Sequence, residues 1–247
     1  MERIYAGTSG WAYPSWKPDF YPAKLSPAKF LPYYAGRLNS VELNYTFRRM
    51  PTPKLLAGWV AATPADFKFA VKAHQTITHV KRLRDVAEWT AQFIASLEPL
   101  AQAGKLGPVL FQLPPFSKCD LPRLTDFLAG LPRGTRAAFE FRHVSWFCDE
   151  VFAALRTANA ALCRAESETI ESPDVQTADF AYFRLRKERY SAESRDALAA
   201  KVQRIASSAD VFVYYKHEET AEGAVYAETL LAAARPQSSA RQSSNTA

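Results

Sequence analysis

Short apolar runs alternate with longer amphipathic stretches along most of this chain. Runs rich in Val, Leu, Phe, Tyr and Ala lie at 3–9, 39–45, 67–73, 107–113, 136–142, 160–165, 179–185 and 210–216. Their length and their bounding turn residues predict buried strands. Between them, apolar positions recur three and four apart, which predicts helices at 26–38, 52–62, 84–103, 121–130, 146–158, 192–208 and 222–234. Ser26 before Pro27 and Thr52 before Pro53 read as N-caps with proline in the first turn. Gly104 and Gly130 fit helix ends. One connection breaks the rhythm: residues 166–178, between the sixth and seventh strands, are too short and too polar for a clear helix.

Eight strands, nearly all feeding a helix, predict a single-domain α/β fold, a (β/α)8 TIM-like barrel over residues 1–235 with a poorly formed helix between strands 6 and 7. An open doubly wound sheet is the competing architecture. It usually begins with a glycine-rich phosphate turn, and Gly7-Thr8-Ser9-Gly10-Trp11 has neither the GxGxxG nor the GxxxxGK[ST] spacing. Residues 236–247 have almost nothing apolar to bury and are expected to be a disordered tail.

Composition narrows the class further. A hydrophobic content of 48% in 247 residues is enough for a barrel core. No apolar run reaches the roughly 18 residues a membrane-spanning helix needs. Met1-Glu2-Arg3-Ile4-Tyr5 enters a strand without a basic head or an apolar leader. Cys119, Cys148 and Cys163 form no CxxC pair, which suits reduced thiols. A cytoplasmic location follows as the expectation. The net charge of +6 is unevenly placed: residues 1–104 carry 13 Lys and Arg against 7 Asp and Glu, and residues 105–247 carry 18 of each. An excess of that kind favours anionic ligands, small or polymeric, although a solvated basic face would read the same way.

In such a barrel the active site lies at the C-terminal ends of the strands. There the sequence places Trp11, Glu42, Asn44, Lys72, His74, His79, Gln112, Glu140, Arg142, His143, Trp146, Arg184, Arg186 and Lys216. The segment Phe139-Glu140-Phe141-Arg142-His143 is the sharpest of these signals, because a carboxylate inside an apolar strand needs a partner. Each residue also has a plainer reading, since ion-pair networks fill barrel interiors and tryptophans cover cores. Taken together they suggest an enzyme. Glu42 and Glu140 would divide into acid and base, with His74 or His143 relaying a proton. Arg142, Arg184, Arg186, Lys72 and Lys216 would hold a carboxylate or phosphate, assisted by Asn44, His79 and Gln112. Trp11 and Trp146 would cover the ligand. No HxH or HExxH spacing supports a metal, and neither metal nor cofactor is expected.

The same stretches resemble the DUF72, or YecE-like, family. The resemblance rests on Gly7-Thr8-Ser9-Gly10-Trp11, on Val41-Glu42-Leu43-Asn44-Tyr45-Thr46-Phe47 followed by Pro51, and on Phe67-Lys68-Phe69-Ala70-Val71-Lys72-Ala73 with Thr78-His79. It continues through Gln112-Leu113-Pro114-Pro115 and Glu140-Phe141-Arg142-His143 with Trp146, so that it runs over about residues 3–234. It implies a TIM-like barrel and no established activity. Many members look as though strand 7 ends in Arg-x-His-Gly and strand 8 in Phe-Asn-Asn. Here those places read Arg184-Leu185-Arg186-Lys187 and Tyr214-Tyr215-Lys216-His217-Glu218, a more charged site. The expectation is thus a metal-independent enzyme for a small anionic substrate. A nucleic-acid-binding or nucleic-acid-processing protein using the basic surface, and a partner-binding barrel without turnover, are the alternatives.

Overall fold

The computed structural model describes residues 4–166 and 170–234. The expected disordered tail, 236–247, lies outside them. Eight parallel strands, β1 (Ile4–Thr8), β2 (Ser40–Leu43), β3 (Lys68–Lys72), β4 (Leu106–Gln112), β5 (Ala137–Glu140), β6 (Ala161–Ala165), β7 (Phe180–Leu185) and β8 (Asp210–Tyr215), pair in the order β1-β8-β7-β6-β5-β4-β3-β2. A parallel bridge between Ser9 and Glu42 brings the two ends of that order together, so the sheet closes on itself. The helices around it are α1 (Phe30–Ala35), α2 (Pro53–Ala61), α3 (Ala87–Ser96), α4 (Glu98–Gln102), α5 (Leu121–Ala129), α6 (Asp149–Thr157), α7 (Ala192–Ala206) and α8 (Glu222–Ala234).

Local chemistry explains most of these boundaries. Thr52 caps α2 by accepting from Leu55 N at 3.2 Å, Asp120 caps α5 through Arg123 N at 3.1 Å, and Ser191 caps α7 through Ser194 N at 3.1 Å. Ser26 makes no such bond: the chain there forms only a 3-10 turn, Pro27–Lys29, before α1. The helix expected over 84–103 is two helices, because Pro99 has no N–H to continue the ladder past Ser96. Residues 170–178 form no helix. Instead Thr177 accepts from Leu162 N and donates to Ala160 O, both at 2.7 Å, and Ser172 N donates to Ala165 O at 3.1 Å. Side chains thus satisfy strand-edge groups that a crossover helix would otherwise cover.

The seam between β1 and β2 is stitched by side chains. Asn39 accepts from Ala6 N and donates to Ile4 O, each at 2.9 Å. Tyr34 accepts from Thr8 N and donates to Ser40 O, again at 2.9 Å. Gly7 makes this approach possible: a Cβ there would sit 1.9 Å from Ser40 O and 2.6 Å from the Tyr34 hydroxyl. A methyl group cannot occupy that space without parting the strands. Gly7→Ala is therefore expected to cost about 1–3 kcal/mol, read by chemical denaturation. An unchanged midpoint would show that the seam is not close-packed.

Two apolar regions hold the fold. The larger lies between strands and helices and includes Trp16, Phe20, Tyr21, Phe93, Phe139 and Trp146. The smaller fills the barrel. Phe180, Tyr182, Phe212 and Tyr214 cross from β7 and β8 toward Ala70, Ala138, Ala161 and Ala165, so large residues on one wall meet small ones on the other. At the N-terminal end Tyr5 stacks on Phe212 at 4.8 Å, and Arg136 lies 4.5 Å from the Phe180 ring. Toward the C-terminal ends the filling turns polar, since strand alternation points Glu42, Gln112, Glu140 and Arg184 inward, two residues beyond Ser40, Leu110, Ala138 and Tyr182.

Candidate functional site

Arg184 is the hub of the polar layer. It reaches from β7 into the barrel and is 2% exposed. Its Nε and Nη2 donate to Oε1 of Glu42 at 3.2 and 2.7 Å, and its Nη1 donates to Oε2 of Glu140 at 2.5 Å. Ser9 Oγ and the Tyr182 hydroxyl complete the shell of Glu42, each at 2.7 Å. Gln112 Nε2 donates to Glu140 at 2.9 Å, and Arg186 Nη2 lies 2.8 and 3.1 Å from its two oxygens. Two buried carboxylates are thus held by two guanidinium groups, an amide and two hydroxyls.

Burial alone would raise both carboxyl pKa values, but the arginine charges and the donated hydrogen bonds outweigh it. Glu140 is held down at about 2 by Arg184 and Arg186, and Glu42 is lowered by Arg184 with help from Ser9 and Tyr182. Arg184 is correspondingly fixed in its charged form: burial opposes the charge, and Glu42 and Glu140 overcome it. Both glutamates are ionised at neutral pH. The acid and base division expected from the sequence does not fit them, since a general acid must hold a proton and an effective base must titrate near the working pH.

Around this hub sit further cations. Lys72 leaves the end of β3 with Nζ 4.1 Å from the Phe47 ring centroid, and it forms no ion pair among the described residues. Burial and then the charge of Arg184 bring its pKa down to about 8, against the pull of Glu42 and Glu140. His79 makes a T-shaped contact with Phe47 at 4.8 Å, with Nδ1 2.9 Å from Thr78 Oγ1. Its pKa is lowered by burial and by Lys72 and Arg142. Arg142 is half-buried beside them and likewise makes no ion pair among the described residues. Arg186 keeps a buried Nε for which the described residues supply no acceptor. Beyond Arg186 an open cleft of about 580 Å³ is lined by Arg189, Lys216, His217 and Glu218, among others. Lys216 stands at its edge, 3.7 Å from Glu218.

The structure therefore brings together Glu42, Lys72, His79, Gln112, Glu140, Arg142, Arg184 and Arg186. Asn44 lies beside them, with Nδ2 3.4 Å from Ser9 O. Other candidates need correction. His74 stacks on Trp89 of α3 at 6.0 Å and accepts from Thr76 N, so it faces the helix layer and not the carboxylates. His143 caps a turn by accepting from Ser145 N at 3.2 Å. Neither is placed to relay a proton for Glu42 or Glu140. Trp146 is 2% exposed, stacked on Phe141 at 4.5 Å and bonded to Ser117 O, so it is core and not a ligand cover. Trp11 leans on Trp59 at 5.3 Å. Phe47 and Tyr182 were not among the expected site residues. Tyr182 was open to detection, because it lies two residues before Arg184 on the same face of β7.

Among the described residues no cluster of His, Cys, Asp and Glu is arranged to hold a metal, and no helix is long and apolar enough to cross a membrane. The family profile described as "Protein of unknown function DUF72" matches residues 5–246. The UPF0759 protein YecE of Escherichia coli K12 is 33% identical over 145 residues, 58% of this chain and 50% of YecE. The UPF0759 protein YunF of Bacillus subtilis 168 is 32% identical over 154 residues, 58% of this chain and 52% of YunF. The chain thus matches about half the length of these relatives. A crystal structure of a DUF72 family protein from Thermotoga maritima superposes with a TM-score of 0.81 at 28% identity, covering 94% of this chain and 98% of that one. One from Enterococcus faecalis gives 0.77 at 18% identity, covering 93% and 95%. With its barrel, its strand-end glutamates and this family match, the chain belongs to the DUF72 family of proteins of unknown function.

Proposed function

We propose that the barrel mouth is the active site of a cytoplasmic, metal-independent enzyme that takes a small anionic substrate, phosphorylated or carboxylated. The observation that carries this reading is the charge at the mouth. Arg184 and Arg186 share Glu42 and Glu140, Lys72 and Arg142 have no carboxylate partner among the described residues, and Arg186 keeps a buried Nε without an acceptor there. A buried donor without an acceptor costs about 1–3 kcal/mol, which an anionic oxygen would recover. In this reading Glu42, Glu140 and Arg184 form the rigid floor that aims Arg186. His79, whose pKa is lowered by burial and by Lys72 and Arg142, takes over the proton-transfer work.

Inorganic phosphate, titrated by calorimetry, is the first probe. Arg186→Gln is expected to weaken its binding by about tenfold to a hundredfold, the equivalent of one or two charge-assisted hydrogen bonds. No phosphate binding by the native chain, or unchanged binding by the variant, would refute the reading.

A second reading has one observation in its favour. Arg48, Arg49, Lys81, Arg82 and Arg84 are exposed on the loops after β2 and β3, and Arg82 lies 6.0 Å over the ring of Phe116, which is 67% exposed. Phosphates along the basic rim and a base stacked on Phe116 would suit single-stranded nucleic acid. Ionic strength separates the two readings. Affinity for a polymer falls steeply with salt, whereas a one-anion pocket gives a shallow slope.

A further inference from the structure

We infer that Lys72 is an amine nucleophile that forms an iminium linkage with a small carbonyl-bearing anion, such as a 2-oxo carboxylate or a phosphorylated ketone or aldehyde. The inference rests on the anion-binding reading above and names its substrate class.

The geometry distinguishes Lys72 from a structural lysine. Lys105 shows what the latter looks like in this fold: it is 5% exposed, and its Nζ donates to Val60 O, Thr63 O and Thr63 Oγ1 at 2.7, 2.7 and 3.0 Å. Lys72 is also largely enclosed, yet among the described residues its Nζ has neither a hydrogen-bond acceptor nor a carboxylate partner. Its only described anchor is the face of Phe47, 4.1 Å away, together with a backbone carbonyl fixed by Thr46 Oγ1 at 2.7 Å. The amine is thus positioned without being consumed by an interaction. Of the cations at the mouth, the guanidinium groups of Arg142, Arg184 and Arg186 stay protonated and cannot attack a carbonyl. Lys72, with a pKa of about 8, holds a substantial neutral fraction near physiological pH, as a lysine crowded by other cations does.

The chemistry balances without any oxidant or reductant. The Nζ lone pair of the neutral amine forms a C–N bond as the carbonyl π pair moves onto oxygen, and one proton passes from that nitrogen to the oxygen to give the neutral carbinolamine. A second proton, taken from solvent, lets the hydroxyl leave as water while the nitrogen lone pair forms the C=N bond of the iminium ion. Arg142 and Arg186 would hold the anionic end of the substrate, and ionised Glu42 and Glu140 would stabilise the new positive charge on nitrogen. An iminium draws electrons from the adjacent carbon, so it favours breaking a C–H or C–C bond there.

The test uses the intact protein with pyruvate, glyoxylate or dihydroxyacetone phosphate as probes, sodium cyanoborohydride to reduce any iminium, and peptide mass mapping. The expected result is a reduced adduct at Lys72 forming at least about tenfold faster than at any other lysine, slowed by excess phosphate and absent in Lys72→Arg. Acetylation of the native protein across pH gives a second measurement. Lys72 should react with a midpoint near 8. Adducts spread over surface lysines with Lys72 no faster, while calorimetry still shows phosphate binding, would overturn this inference and leave the anion site standing. Absence of both selective adduct and phosphate binding would overturn both.

Discussion

Replacing Arg184 with Met is expected to destabilise the fold by about 3–5 kcal/mol at neutral pH and to reverse the part of its acid response that Glu42 carries. The native protein follows the usual carboxylate pattern. Glu140 has its pKa lowered from 4.5 to about 2, and Glu42 moves in the same direction. Their pairing therefore contributes stability that is complete above about pH 4.5 and is lost as pH falls through about 2. Remove the guanidinium and the contribution of Glu42 changes sign. Glu42 stays buried without an arginine, so desolvation raises its pKa above that of the unfolded chain, whereas Glu140 keeps its pair with Arg186. The Glu42 contribution in the variant should then be greatest below the unfolded pKa and be lost as pH rises. Thermal unfolding of both proteins between pH 3 and pH 8 checks this. Parallel pH profiles would mean that water reaches the glutamates and that the layer is not a sealed network.

The sequence made the architecture and the polar layer legible for different reasons. The barrel could be read because each strand is a short apolar run and most connections carry helical periodicity, and these are local properties. The polar layer could be read because Glu42, Glu140 and Arg184 interrupt apolar runs, where an unpaired charge has no place. The assignment of partners was beyond it. Glu42 and Arg184 are 142 residues apart and are joined only by closure of the sheet, which brings β2 and β7 across the interior from one another. Whether two carboxylates share a proton or each takes an arginine is decided by that closure. The misplacement of His74 and His143 has a similar cause. Both follow strands whose inward faces are known, but the chain has already left the strand when it reaches them, and alternation no longer says where a side chain points. His74 follows Ala73 out toward Trp89, and His143 turns back onto Ser145. Tryptophans misled for another reason: Trp146 beside a strand end looks like a ligand cover, but a ring that size is worth more to the core, and Phe141 provides its stacking face.

Glu140→Gln is the substitution that best separates floor from ligand grip, because it keeps the shape and removes one charge. The amide oxygen can still accept from Arg186 or Arg184, but the charge-assisted character of bonds at 2.5 and 2.8 Å is lost, and Arg186 no longer has an anionic partner. Breaking one side of a buried ion network of this kind costs about 3 kcal/mol, which for a chain of this length lowers the melting temperature by roughly 6–12 °C. Phosphate affinity should move the other way. With one negative charge gone from the floor, Arg186 and its neighbours are left less neutralised, and even at an effective dielectric constant near 20 that strengthens binding by about threefold or more. Melting curves and calorimetry on the same variant give both numbers. A lower melting temperature together with tighter phosphate binding fits a floor that tunes the grip. Weaker phosphate binding at unchanged stability would instead make Glu140 a direct ligand contact, and would move the anion site from Arg186 toward β5.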